Sequence, residues 1–349
     1  MFERLINISL IFVFIVIGLG ALTRLLDAGL GCPDWPGCYG QLIPPDTTEA
    51  LEQAEALFPQ APVIEHQAWM EMIHRYAAGS LGILVLALTW IAFQTQKPPL
   101  LKKLTITLCI VVVTQALFGM WTVTLKLWPP VVTLHLLGGF TTLCLLIALK
   151  SLNTSYIKAS KPSQNAVSFS TSGSFPKVSG VAALFLLVLQ ITLGAWTSSN
   201  YAGLACPDFP TCQNQWLPDV SINKAFELPN YDDESYLHGR SDAQTRVSIQ
   251  YFHRLGALLT TIALLFFTYQ LLKQSSTSNR YKAYGLLVLL FTQIILGILS
   301  AVLLLPLSVA LGHNLVAASL LAMLVWILTS NLIHGVHHKE IEHGLIYHN

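Results

Sequence analysis

Eight stretches of this chain are apolar for about the 20 residues that a helix needs to cross about 30 Å of hydrocarbon. They lie near 5–26, 71–93, 104–125, 131–149, 178–199, 250–272, 283–305 and 309–333. The expected fold is therefore an all-α integral membrane protein with eight transmembrane helices. Composition agrees, since hydrophobic residues make up 53% and charged residues 11% of the chain, with a mean hydropathy of +0.58. Soluble domains do not have that balance. A formal net charge of +1 offers no basic face for nucleic acid. Arg4 precedes the first apolar run as in a signal peptide, but the run is too long for an h-region and lacks a small-residue cleavage site. It is expected to be a retained helix.

Short cytoplasmic loops collect Lys and Arg. Lys97, Lys102 and Lys103 fall in the second connection, Lys150, Lys158, Lys161 and Lys177 in the fourth, and Lys273, Arg280 and Lys282 in the sixth. These connections and both termini are expected on the cytoplasmic side. The long loops at about 27–70 and 200–249 then face outward, with fifteen of the eighteen acidic residues in or beside them.

Both loops carry the same unusual heptapeptide, CPDWPGC at Cys32–Cys38 and CPDFPTC at Cys206–Cys212, 174 residues apart. Disulfides persist on the outer side, and a pair held by two prolines could close a small loop. A zinc site would call for tighter Cys spacing and more ligands. Each pair, Cys32–Cys38 and Cys206–Cys212, is read as a disulfide, with either a stapling or a redox role. Cys109 and Cys144 lie within apolar runs and read as core.

A slide of 174 to 179 residues aligns more than cysteines. Gly20-Ala21 matches Gly194-Ala195, Thr114-Gln115 matches Thr292-Gln293, and Gly119 matches Gly297. EMIHR around His74 matches QYFHR around His253, and TLHLLGG around His135 matches LGHNLVA around His313. An offset of four spans keeps the halves parallel about an axis along the membrane normal, giving two pseudo-repeated four-helix bundles. Boundaries are expected at 1–157 for the first bundle, 158–177 for a Ser-, Lys- and Pro-containing cytoplasmic linker, 178–333 for the second bundle and 334–349 for a polar tail. In each bundle the second and fourth spans carry one histidine at similar depth. A lone intramembrane histidine is often just a hydrogen-bonding group, but four in repeated places point to ligation. Opposed imidazoles on facing helices suit haem iron. Gly79, Gly138, Gly139 and Gly256 would let a flat macrocycle approach. Arg75 and Arg254 follow two of the histidines and either pair with haem propionates or anchor the helices at the interface.

One difference separates the halves. Glu71 stands three residues before His74, on the same helical face, whereas Gln250 takes the matching place before His253. A carboxylate has an acid–base capability that an amide lacks, so chemistry is expected in the first bundle and a resident cofactor in the second. The alternative is that Glu71 caps a helix start.

With GALTRLLDAGLGCPDWPGC, EMIHR, TLHLLGG, CPDFPTC, QYFHR and GHN in this order, the chain resembles the haem A synthase family over nearly its whole length, in its cysteine-containing bacterial form. The resemblance implies oxidation of the C8 methyl of haem O to a formyl group, yielding haem A for cytochrome oxidase. It also implies His74 and His135 as ligands of the substrate haem, His253 and His313 as ligands of haem b, Glu71 as the catalytic carboxylate, and a disulfide in at least the first loop. The implied setting is the bacterial inner membrane, with haem O and the bilayer as partners and haem O synthase as a candidate partner. Trp35 and Phe209 are expected near the haem edges. Rival readings are a dihaem b-type electron carrier, which leaves the Glu71/Gln250 difference unexplained, a transporter, and a disulfide-exchanging oxidoreductase that leaves the four histidines unexplained. The histidines beyond Asn331 read as part of the polar tail.

Overall fold

The structure, a computed structural model, describes residues 1–159, 175–232 and 234–346, with backbone alone for 158–159 and 332–346. Among the described residues there are ten α-helices and no strand. They are α1 (Phe2–Leu25), α2 (Thr48–Leu57), α3 (Glu65–Gln94), α4 (Pro99–Thr124), α5 (Pro129–Ala159), α6 (Lys177–Ser199), α7 (Ile222–Ala225), α8 (Ala243–Leu272), α9 (Thr277–Val302) and α10 (Leu307–Ile346). All but α2 and α7 are long and apolar enough to cross a membrane, which gives the eight expected spans.

Helix boundaries differ from the apolar runs in one consistent way. Helices α3 and α8 begin six or seven residues earlier than expected, at Glu65 and Ala243. Hydropathy reports where hydrocarbon ends, but the helix continues until its free N–H groups find another acceptor. For α8 that acceptor is Asp242, whose carboxylate accepts from Thr245 N at 2.6 Å. The α10 backbone stays helical through Ile346 rather than ending near 333. Most of the expected linker, 160–174, lies outside the described residues, as do the side chains of the histidine-containing tail.

In the first half, α1 packs on α3, α3 on α4 and α4 on α5, and α5 returns to α1. The second half repeats the order: α6 on α8, α8 on α9, α9 on α10, and α10 back on α6. The halves meet where α5 touches α10 and α6 and where α1 touches α10. Ile6, Leu88, Leu108 and Leu143 are sealed inside the first half, and Leu187, Phe267, Leu286 and Leu324 inside the second. Apolar side chains such as Ile83, Trp90 and Val288 point outward. A helix apolar all round suits a lipid surround, where packing rather than water exclusion selects the inner face.

The repeat extends to the backbone. Left-handed φ angles occur at Asp27 and Tyr201, at Tyr39 and Gln213, at Lys126 and Leu304, and at Leu127 and Leu305. The Trp35-Pro36 and Phe209-Pro210 bonds are both cis. At the loop end of the molecule, residues 174 apart touch one another. Arg24 Nη2 donates to Ser198 O at 2.5 Å, and Tyr201 Oη donates to Asp27 Oδ1 at 3.0 Å. Arg24 also lies over the Tyr201 ring, 3.7 Å from its centroid. The second cysteine-bearing loop leans across the same seam: Tyr236 N donates to Lys126 O at 2.9 Å, and Trp128 Nε1 to Pro229 O at 2.8 Å.

Candidate functional site: two histidine pairs beneath two disulfide loops

Each heptapeptide folds around its aspartate. Asp34 accepts from Tyr39 N at 2.7 Å and Gly40 N at 2.8 Å. Asp208 accepts from Gln213 N at 2.7 Å and Asn214 N at 2.9 Å. A carboxylate two residues after the first cysteine thus closes the turn that follows the second, and Cys38 and Cys212 each form a short bridge to a glutamine, Gln41 or Gln215. The sulfurs are joined in both loops, Cys32 to Cys38 at 2.04 Å and Cys206 to Cys212 at 1.96 Å. Asp208 is further held by the Thr211 hydroxyl at 2.5 Å, and these hydrogen bonds, that of Thr211 foremost, keep its carboxyl down at about 2. Thr211 corresponds to Gly37, which has no hydroxyl.

An arginine rises from the span below into each loop. Arg75 donates to the carbonyls of Asp34 (3.0 Å), Pro36 (3.3 Å) and Gly37, and Arg254 to those of Thr211 (2.7 Å) and Cys206 (2.5 Å). Both guanidinium groups are therefore turned into the disulfide loops. Loop carbonyls are thus partners of both guanidinium groups beside the propionate or interface roles expected of them. Carbonyls crowded by a closed five-residue loop are the nearest strong acceptors. Trp35 and Phe209 are both part-exposed on their loops, at 38% and 49%.

Glu71 is the point at which the loops part company. It is 4% exposed, with Oε1 at 2.5 Å from Arg75 Nη2 and Oε2 accepting from Cys32 N at 3.0 Å. Because α3 starts at Glu65, Glu71 stands in the second turn and caps nothing. Gln250 is 7% exposed, and its Oε1 is buried without a partner.

Below the loops lie the histidines, each resting on a glycine of the preceding span. A methyl added at Gly20 would stand 3.0 Å from His74 Cε1, at Gly119 3.4 Å from His135 Cε1, at Gly194 3.2 Å from His253 Cε1, and at Gly297 3.0 Å from His313 Cε1. Four matched close approaches place the rings alike and show why α1, α4, α6 and α9 need glycine there. His74 and His135 face each other with centroids 6.5 Å apart and planes at 90°. Metal–imidazole bonds are about 2.0–2.1 Å and a ring nitrogen is roughly 1.1 Å from its centroid, so two imidazoles sharing one metal stand about 6.3 Å apart. The observed 6.5 Å is close to that distance. Nδ1 of His74, His135 and His313 is buried and has no hydrogen-bond partner.

The glycines expected to admit a macrocycle divide into two groups. Gly79 and Gly139 have nothing within 4 Å of an added methyl, so the space beside them is open. Gly138 and Gly256 are instead occupied by glutamine amides, those of Gln115 and Gln190. Gln293, whose partner position is Val316 rather than glycine, meets His313 Nε2 at 3.2 Å. The functional reading of the sequence missed these amides, although Gln115 and Gln293 are part of the repeat.

Comparisons with known proteins identify the family. A family model described as COX15-CtaA, cytochrome oxidase assembly protein, matches residues 3–325. A haem A synthase of Shewanella oneidensis is 43% identical over 325 residues, 93% of this chain and 94% of the relative. A haem A synthase of Beijerinckia indica is 27% identical over 344 residues, and one of Lysinibacillus sphaericus 26% over 317. A match along nearly the whole chain, joined to a relative this similar at full length, means that the chain belongs to the haem A synthase family.

Proposed function

We propose that this protein oxidises haem O to haem A, converting the C8 methyl to a formyl group. In this reading His74 and His135 hold the substrate iron, and His253 and His313 hold haem b. The observation that carries it is a difference between otherwise matching sites: a buried carboxylate, Glu71, one turn from His74, and an amide, Gln250, one turn from His253.

Haem b, when bound, supplies one-electron redox chemistry. The chain's own residues supply placement and proton handling. Gly20 and Gly119 let the His74 and His135 rings lie close against α1 and α4, which supports their use as ligands of the substrate iron. Oxidising a methyl carbon to a formyl group passes electrons to an external electron acceptor and releases protons, and Glu71 would take those protons, as general base work requires. Arg75 and the Cys32 N–H fix both carboxylate oxygens, so Glu71 meets the substrate in one orientation. Arg75 and Arg254 serve the haem sites through the loops they hold. The paired cysteines support a setting in which these loops lie on the oxidising side of a bacterial inner membrane, with the positive connections in the cytoplasm. Haem O synthase is the source of substrate.

Protein purified from cells rich in haem O tests this. Extracted pigment should contain the formyl haem. His74→Ala should stop its formation while the low-spin haem b bands persist, and His253→Ala should lose those bands. Protohaem alone in the wild type would instead indicate an electron carrier.

A further inference from the structure

The two halves differ in what stands behind the histidine of their second span. Behind His253 is Gln190 of α6, whose Nε2 is 3.0 Å from Nδ1 and 3.0 Å from the backbone carbonyl oxygen of the same histidine. That amide needs room, and Gly256 provides it: a methyl there would lie 2.4 Å from Gln190 Oε1. The matching residues of the first half are Val16 and Ala77. The amide and the glycine that admits it are thus replaced together, and His74 Nδ1 is left buried and unpartnered.

We propose that Gln190 is a positioning residue that holds His253 by Nδ1 for a permanently bound haem, whereas Val16, which offers the His74 ring only its backbone carbonyl, holds that ring less firmly as substrate enters and product leaves. The inference rests on the haem reading above. A metal-bound imidazole is oriented by the hydrogen bond at its other nitrogen, which also raises its basicity. In the metal-free ring, Nδ1 accepts from the amide. With iron on Nε2 the proton belongs on Nδ1, and Gln190 Oε1, buried now without a partner, is the acceptor at hand. An amide carries both groups, so one side chain serves both states. The valine side chain serves neither, and the first half offers the His74 ring the Val16 backbone carbonyl instead.

The test uses the full-length protein in detergent, following haem loss to excess apomyoglobin and the reduction potential of the low-spin haem. Gln190→Val should keep low-spin bands, because both histidines remain, but lose haem about 10–100-fold faster, with a raised potential. Gln190→Glu should shift the potential the opposite way, which a merely structural role would not produce. The reciprocal pair Val16→Gln with Ala77→Gly should slow haem loss from the first site. Unchanged loss and potential in both Gln190 variants, with His253→Ala lacking the low-spin bands, would overturn the assignment and leave the haem reading intact. Low-spin bands surviving in His253→Ala would overturn the haem reading itself.

Discussion

The two disulfide loops share a backbone course, an aspartate that closes the turn and an arginine that fills it, yet only the first is fastened to a carboxylate. Cys32 N and Arg75 both reach Glu71, while in the second loop Arg254 hydrogen-bonds to carbonyls and Gln250 keeps an unpartnered oxygen. The same scaffold thus carries an ion pair, Glu71 with Arg75, in one half and an arginine beside a neutral amide, Arg254 with Gln250, in the other. A single residue in the span beneath thus decides whether a disulfide loop is tied to a group with acid–base capability.

Exchanging that residue should break the comparison most severely. Glu71→Gln makes the first half like the second, and haem A formation should fall about 100-fold or more with haem binding retained. Full conversion, measured by chromatography of extracted pigment, would remove Glu71 from the chemistry. Gln250→Glu should not make the second half reactive. Next in size is removal of the arginines. Arg75→Met leaves a buried carboxylate uncompensated and should cost about 3–5 kcal/mol, against about 1.5–3 kcal/mol for Arg254→Met, which loses hydrogen bonds from a charged donor. Thermal unfolding in detergent would rank them, and equal losses would deny Glu71 its special tie to Arg75.

Opening the disulfides sharpens the same contrast. Paired Ser replacements at Cys32 and Cys38, or at Cys206 and Cys212, should each remove about 2 kcal/mol for a loop this short. Only the first pair should also slow haem A formation, because Cys32 N is a ligand of Glu71. The smallest effect concerns pH. Asp208 has its carboxyl lowered to about 2, first by the Thr211 hydroxyl, so its contribution to the second loop is present above the ordinary carboxylate range and lost as pH falls through about 2. Thr211→Val should move that loss to higher pH, visible as earlier proteolysis of the second loop on acidification. An unmoved profile would assign the acid resistance elsewhere.

Much of this was legible in the chain because lipid imposes its pattern locally. Each span announces itself as an apolar run, and ionisable groups stand out within such runs, which is how His74, His135, His253 and His313 could be picked from spacing. What escaped was contact between segments. Glu71 reads as a helix cap only if the helix starts where hydrophobicity does, and six polar-flanked residues before it undo that. Arg75 and Arg254 look free because their acceptors are backbone carbonyls, which no sequence displays. Gln190 was visible in principle, since sliding the chain sets it against Val16 and Gly256 against Ala77, but its meaning depends on a distance.

The seam at the loop end has a consequence of its own. Arg24 meets Ser198, and Asp27 meets Tyr201, each pair separated by 174 residues. Across a two-fold axis between identical subunits, such neighbours would be one residue facing its own copy, and every change would be felt twice. Within a single chain the copies can drift apart, so that an arginine comes to face a serine carbonyl and a carboxylate a phenol. Covalent joining is what allows one half to specialise without forcing the same alteration on its twin.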